Sequence, residues 1–174
     1  MQIKNLQEME AFALEIKEKL SDSSLDIKND PKTSQGDVRT SKRATILALK
    51  GDLGSGKTTF TQYLAKHFNI KEKVNSPTFV IQKRYEIKNN TNSSKIGKFD
   101  RLIHIDAYRL ETGKELENLD WEELHSNPKN LILIEWPEIV DEVLSQDKYK
   151  ENILEIDFKF IDENTREVKV ESNA

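Results

Sequence analysis

The sequence predicts an α/β fold: a largely parallel sheet flanked by helices, with an antiparallel, β-rich C-terminal part. Three observations lead to this prediction. A solidly apolar segment ends at a glycine-rich loop that opens a helical pattern, and two further apolar segments each end on a carboxylate. Strands of this kind interleaved with helices are typical of α/β proteins.

The first predicted element is an amphipathic helix over residues 6–20, because apolar residues recur there at a spacing of three to four. They are Leu6, Met9, Phe12, Ala13, Ile16 and Leu20. Residues 21–43 are mostly polar, with too few apolar side chains to offset the entropy of ordering. We interpret 21–43 as a flexible insertion or linker; the alternative is a segment that folds on a partner.

Beyond this segment, apolar and β-branched runs predict strands, and the spacing of apolar residues predicts two further helices. The polar segment 88–98 is typical of a long hairpin loop. The predicted strands are 44–50, 79–85, 102–106, 131–135, 153–161 and 167–171, and the predicted helices are 58–68 and 138–144.

Length and composition limit the classes of protein. A chain of 174 residues predicts one domain over 1–174. The net charge of −4 provides no general cationic field, so we expect no stable DNA binding. The absence of cysteine excludes disulfides, thiolate zinc sites and a cysteine nucleophile. No secretory signal or membrane span is visible, so we expect a soluble, cytoplasmic protein that does not contact membranes.

Residues 51–58, Gly-Asp-Leu-Gly-Ser-Gly-Lys-Thr, match the phosphate-binding pattern G-x-x-x-x-G-K-[ST] in full. Glycines let the backbone curl so that its N–H groups face phosphate oxygens, while Lys57 reaches the β- and γ-phosphates and Thr58 ligates Mg²⁺. The alternative is a glycine turn that caps a helix, but the preceding strand and following helix favour the phosphate-binding loop. The predicted nucleotide-binding residues here are Gly51, Asp52, Leu53, Gly54, Ser55, Gly56, Lys57, Thr58 and Thr59.

Asp106 and Glu135 each close an apolar strand. Because the carboxyl ends of parallel strands line the ligand crevice, both side chains can reach Mg²⁺ and the phosphates. We predict Lys57, Asp106 and Glu135 as catalytic residues, and Thr58, Asp106 and Glu135 as metal ligands. The alternative is that each carboxylate caps the following helix.

The segment Asn-Ser-Pro-Thr-Phe at 75–79 occupies the place where switch proteins carry a threonine that senses the γ-phosphate. Thr78 is therefore a candidate nucleotide-binding residue; the alternative is a proline turn with a local Ser/Thr hydrogen bond. His67, His104 and His125 are scattered, which argues against a metalloenzyme. The apolar neighbours of His104 predict a packed core histidine.

Four segments resemble the landmarks of the TsaE (YjeE) ATPases. They are the loop at 51–60, Asn-Ser-Pro-Thr-Phe at 75–79, His-Ile-Asp-Ala-Tyr-Arg-Leu at 104–110 and Ile-Glu-Trp-Pro at 134–137. Each segment alone is weak, but four in the right order are specific. The resemblance implies a P-loop NTPase-like fold that binds ATP and Mg²⁺ and hydrolyses ATP.

The resemblance further implies a role in threonylcarbamoyl modification of the adenosine beside the tRNA anticodon. The protein would dock on the TsaB–TsaD complex and meet tRNA only through it. Trp136 would lie near the nucleotide or the partner, the alternative being an ordinary core indole. Arg166 is the candidate for an arginine near the adenine, although this chain has Thr165-Arg166 where the family often has Gly-Arg.

Two other functions share the loop. A small-molecule or nucleoside kinase has the same strand architecture, but such enzymes usually carry an arginine-rich lid, and the six arginines here do not cluster. A nucleotide-gated binding module would bind ATP without turnover. Substitution of Glu135 separates a module from an ATPase.

Overall fold

The structure is a computed structural model that describes residues 1–21, 43–88, 98–150 and 152–172. The flexible segment predicted at 21–43 and the hairpin loop predicted at 88–98 lie, apart from their end residues, outside the described residues. None of the described helices is long and apolar enough to cross a membrane.

Seven strands form one sheet in the order β1-β7-β6-β2-β5-β4-β3. The four central strands, β6, β2, β5 and β4, are parallel, whereas β3 joins β4, and β7 joins both β6 and β1, in antiparallel pairs. The strands are β1 (Gln2–Ile3), β2 (Thr45–Lys50), β3 (Gln82–Glu86), β4 (Arg101–Asp106), β5 (Asn130–Glu135), β6 (Ile153–Phe160) and β7 (Arg166–Ser172). The predicted parallel centre and antiparallel C-terminal pair are confirmed, with β6 belonging to both.

Within the described ranges, five α-helices accompany the sheet: α1 (Leu6–Ser21), α2 (Lys57–His67), α3 (Trp121–Ser126), α4 (Asp141–Leu144) and α5 (Asp147–Lys150). Three 3₁₀ turns in the same ranges span Ala107–Arg109, Gly113–Leu119 and Pro137–Val140. The sequence did not predict β1, α3, α5 or the Gly113–Leu119 turn, because they are too short to show a periodic pattern.

Alternation along the central strands divides the core between the two faces of the sheet. Leu47 and Leu49 of β2 join the cluster that includes α1 and α2, whereas Ile46 and Ala48 face α3 and α4. Both faces are covered, which explains why these strands are apolar at nearly every position. On the first face, the Phe12 ring of α1 lies 5.4 Å from Phe60 and 6.5 Å from Phe158.

Three sequence predictions need correction. Leu6 is not part of the buried stripe of α1 but is largely exposed at its first turn. The strand predicted at 79–85 begins only at Gln82, because the amides of Val80 and Ile81 both donate to the Pro77 carbonyl and turn the chain. The helix predicted at 138–144 is a 3₁₀ turn followed by the single turn of α4, since Trp136 adopts a left-handed conformation before Pro137.

Candidate functional site

Residues 51–56 form a tight loop between β2 and α2, and Gly51, Gly54 and Gly56 all have positive φ angles. The requirement for glycine is strongest at Gly51, where an added Cβ would lie 2.1 Å from the carbonyl oxygen of Phe158. The loop is therefore curled against β6 and delivers the chain to the N-terminus of α2, where free N–H groups favour an anion.

The Lys57 side chain fills the inside of this loop. Its Nζ donates to the carbonyl oxygens of Gly51, at 2.5 Å, and Asp52, at 3.0 Å, and lies 4.2 Å from the centre of the Trp136 ring. Burial lowers the pKa of Lys57, while the negative charges of Glu135 and its neighbours oppose this shift. The hydroxyl of Ser55 is buried and has no hydrogen-bond partner within the described structure. A curled backbone, an ammonium and an unpaired hydroxyl fit a phosphate chain.

The two strand-end carboxylates, Asp106 and Glu135, lie opposite each other on the neighbouring parallel strands β4 and β5. Both are almost fully buried. Glu135 accepts a hydrogen bond from the Thr58 hydroxyl, with Oγ1 at 3.1 Å from Oε1 and 3.3 Å from Oε2. The sheet therefore brings the predicted metal-binding hydroxyl and carboxylate into contact across 77 residues of sequence.

Asp106 connects the site to the segment 75–79. Its Oδ2 accepts hydrogen bonds from the hydroxyls of Ser76, at 2.9 Å, and Thr78. Its Oδ1 accepts the amide of Tyr108, at 3.1 Å, and so caps the 3₁₀ turn that follows β4. Asp106 thus acts both as a cap and as an anchor for the segment, and the local hydrogen bond from the Thr78 amide to Ser76 is present as well.

A cavity of about 440 Å³ adjoins the outer side of the loop. Gly54 and Thr59 line it together with the start of α1 and with Arg166, which lies far from them in sequence. The Arg166 guanidinium packs over the Phe160 ring at 4.6 Å and donates to the carbonyl oxygen of Asp162. Its place at the cavity rim is compatible with the predicted contact to a nucleotide base.

The predicted nucleotide-binding residues Trp136 and Leu53 differ in their exposure. Trp136 is only partly buried, packs 5.2 Å from the Tyr108 ring and has a φ of 61°. It is therefore neither an ordinary core indole nor a free surface residue. Leu53 projects into solvent at the tip of the loop with 88% of its surface exposed. Its side chain is not part of the inner wall.

His104 is the site residue that sequence reasoning missed. Its ring is fully buried, as predicted, but its Nε2 lies 2.9 Å from Oε1 of Glu135. The signal was the spacing: His104 and Asp106 are two residues apart in one strand and therefore share a face. Because Asp106 is opposite Glu135, that face carries all three side chains.

No group of three or more His, Cys, Asp or Glu side chains arranged to hold a metal ion occurs among the residues that the structure describes. Thr58, Glu135 and Asp106 instead carry oxygen atoms of the kind that bind Mg²⁺, next to the loop at 51–56. Mg²⁺ in nucleotide sites is held in this way, by one or two carboxylates together with substrate phosphates. The residues present therefore fit Mg²⁺ bound with a nucleotide.

A parallel sheet whose first central strand runs into a curled glycine loop and a helix defines an α/β protein with a P-loop NTPase-like fold. Residues 3–168 match the family model described as threonylcarbamoyl adenosine biosynthesis protein TsaE. The chain belongs to the TsaE family of tRNA threonylcarbamoyladenosine biosynthesis proteins.

Individual relatives agree with this assignment. A TsaE protein of Rickettsia felis is 35% identical over 130 residues, which are 74% of this chain and 66% of that protein. The TsaE protein of Bacillus subtilis is 37% identical over 127 residues, or 73% and 69% of the two chains. The crystal structure of Bacillus subtilis YdiB matches with a TM-score of 0.59 and 25% identity, covering 100% of this chain and 84% of that one.

Proposed function

We propose that this protein is a cytoplasmic, Mg²⁺-dependent ATPase of tRNA threonylcarbamoyladenosine biosynthesis that acts on the TsaB–TsaD complex. The observation that carries the proposal is the contact between Thr58 and Glu135 at 3.1 Å beside the phosphate-binding loop. This contact joins a phosphate-site hydroxyl to a strand-end carboxylate, the pair that phosphoryl-transfer sites use to hold the cation and orient water.

In this proposal each residue has a positioning or electrostatic task, and no covalent intermediate forms. The loop amides and the Lys57 ammonium would bind the phosphate oxygens, and the Thr58 hydroxyl, Asp106 and Glu135 would hold the cation. Bound Mg²⁺ would supply charge neutralisation at the phosphates. Glu135, which lies within reach of Thr58, accepts a hydrogen bond from the attacking water and so orients it.

The segment 75–79 links the site to the surface. Thr78 is bonded to Asp106 inside the site, whereas the next residue, Phe79, is 83% exposed. Gain or loss of the γ-phosphate would alter the Thr78 contact and thereby move an exposed apolar side chain. We propose that TsaB–TsaD responds to this change and in turn stabilises the transition state of ATP hydrolysis. The protein contacts tRNA only through this complex.

The decisive experiment measures ATP hydrolysis and ATP binding of Glu135→Gln, with and without TsaB–TsaD. We expect turnover to fall by about 100-fold or more, because a neutral amide is a much weaker acceptor and base for the attacking water than a carboxylate, while ATP affinity is retained. Glu142→Gln, an exposed glutamate outside the site, is the control and should match the wild type.

A wild type that binds ATP but does not hydrolyse it in either condition would refute the ATPase and favour a binding module. Equal, measurable hydrolysis by the wild type and Glu135→Gln would instead remove Glu135 from the mechanism. Equal wild-type rates with and without TsaB–TsaD would remove partner activation. Transfer of the γ-phosphate to a small acceptor would instead indicate a kinase.

A further inference from the structure

His104 is a polar side chain on a face of the sheet that is otherwise largely apolar along β4. It lies in β4 on the same face as Leu102, which belongs to the core under α1 and α2, and its ring has no exposed surface. A polar group in such a place costs free energy unless it is hydrogen-bonded. The hydrogen-bond partner of Nε2 is Oε1 of Glu135 at 2.9 Å.

The two ring nitrogens of His104 have different surroundings. Nε2 faces the carboxylate, whereas Nδ1 is buried with no hydrogen-bond partner within the described structure. In the tautomer with a proton on Nδ1 alone, the buried Nδ1–H donor would have no acceptor. The lone pair of Nε2 would also face the carboxylate oxygen, which repels it. The hydrogen-bond pattern therefore selects the tautomer in which Nε2–H donates to Glu135.

Glu135 receives hydrogen bonds from two directions. His104 donates to Oε1 from within the sheet, and the Thr58 hydroxyl lies 3.1 Å from the same oxygen at the mouth of the phosphate loop. Thr58 is also the residue whose hydroxyl is expected to turn to a cation. His104 is then the donor that remains on the carboxylate when Thr58 changes partner.

We propose that His104 is a positioning residue that holds the Glu135 carboxylate toward Thr58 and the phosphate loop. Histidine–carboxylate contacts of this kind orient groups at metal sites, and their loss typically lowers metal affinity or activity about 10–100-fold. The inference rests on the proposed function of Glu135 in ATP hydrolysis, and it assigns to His104 no contact with the nucleotide.

A matched pair of variants tests the hydrogen bond separately from the volume of the ring. His104→Gln keeps an amide N–H near the position of Nε2, whereas His104→Leu fills similar space without a donor. His125→Leu removes another buried imidazole, one that packs against Trp121 and Tyr149, and is the control. Each variant is assayed with TsaB–TsaD for kcat and KM, by calorimetry for ATP with Mg²⁺ and with EDTA, and by urea unfolding.

We expect His104→Leu to lower kcat about 10–100-fold while KM for ATP changes little, since the phosphate loop is intact. His104→Gln should recover most of kcat, and His125→Leu should keep the wild-type value. Equal losses in the Gln and Leu variants, or a wild-type kcat in His104→Leu, would overturn the inference.

The same variants distinguish this inference from the ATPase proposal. If the wild type binds ATP without hydrolysing it, the ATPase proposal fails, and the increase in ATP affinity caused by Mg²⁺ becomes the readout. Retention of that increase in His104→Gln and its loss in His104→Leu would support positioning of the carboxylate. An equal increase in ATP affinity in the two variants would refute the positioning role of His104. A wild type that binds no ATP would overturn both proposals.

Discussion

Lys57 illustrates how a charged residue is kept inside the protein by backbone carbonyls and an aromatic ring. Its ammonium is bonded to two loop carbonyls and lies over the Trp136 ring, and its side chain is 5% exposed. Burial lowers the pKa of Lys57 because the charged form loses hydration. In the proposed function, a bound phosphate would replace the two carbonyl oxygens as the partner of the ammonium. The Lys57 side chain therefore already occupies the position that phosphate binding requires.

His125 gives a prediction about pH and stability. The pKa of His125 is lowered from 6.5 to about 4, chiefly by burial; the positive charges of Arg43 and Lys148 contribute to the decrease, and Glu122 opposes it. The unfolded chain therefore binds a proton below about pH 6.5 that the folded protein does not bind until about pH 4. The contribution of the neutral His125 ring to the free energy of unfolding is therefore fully present above pH 6.5 and is lost as the pH falls toward 4.

We expect the free energy of unfolding to decrease by about 2 kcal/mol more between pH 7 and pH 5 in the wild type than in His125→Leu. Urea denaturation of both proteins at the two pH values measures this difference. His67→Leu, which removes a partly exposed histidine, is the control. A parallel decrease in wild type and His125→Leu would show that His125 is not the responsible group.

At the scale of elements, the backbone of the phosphate loop packs so closely against the backbone of β6 that Gly51 has no space for a side chain. Gly51 and Gly54 both have positive φ angles, of 128° and 77°. Only Gly51 is also pressed against the neighbouring strand, where a Cβ would meet Phe158, whereas nothing lies within 4 Å of a Cβ at Gly54. The two positions separate the cost of backbone conformation from the cost of close packing.

We expect Gly54→Ala to destabilise the protein by about 1–2 kcal/mol, the cost of a left-handed conformation. Gly51→Ala should cost about 1–3 kcal/mol more, because the loop must also move away from β6. Urea unfolding of the two variants measures the difference directly. Equal losses would mean that the contact with Phe158 does not restrain the loop.

At the scale of the whole molecule, α1 ties the N-terminal part of the chain to the sheet through aromatic packing. Phe12 is buried and contacts Phe60 of α2 and Phe158 of β6. The Met1 carbonyl also accepts a hydrogen bond from the amide of Val168 in β7, at 2.8 Å. Residues near both ends of the described chain thus share one sheet and one of its two core clusters. A single domain over 1–174 stays a prediction.

Phe12→Ala should therefore weaken the whole domain by about 3–5 kcal/mol, and not only α1. Leu14→Ala, at a position 40% exposed on the same helix, is the control and should cost far less. Tryptophan fluorescence, which reports on Trp121 and Trp136, and far-ultraviolet circular dichroism should give coincident transitions. Separate transitions would contradict a single cooperative domain.

The local signals predicted the elements that depend on short stretches of sequence. The run 44–50, the glycine loop and the helix after it correspond closely to β2, residues 51–56 and α2. The predicted strand at 79–85 was partly wrong, since Phe79 to Ile81 are β-formers that a turn at Pro77 withdraws from the sheet. Strand preference is weak where tertiary contacts compete with it.

Local pattern was enough to predict the fold class, the glycine loop, the two strand-end carboxylates and the family resemblance, because each depends on residues close together in the chain. The contacts of His104 with Glu135 and of Thr78 with Asp106 emerged only in three dimensions. They join residues 31 and 28 positions apart, and strand register decides which side chains meet. A shift of one residue would turn His104 to the opposite face, so its role depends on the assembled sheet.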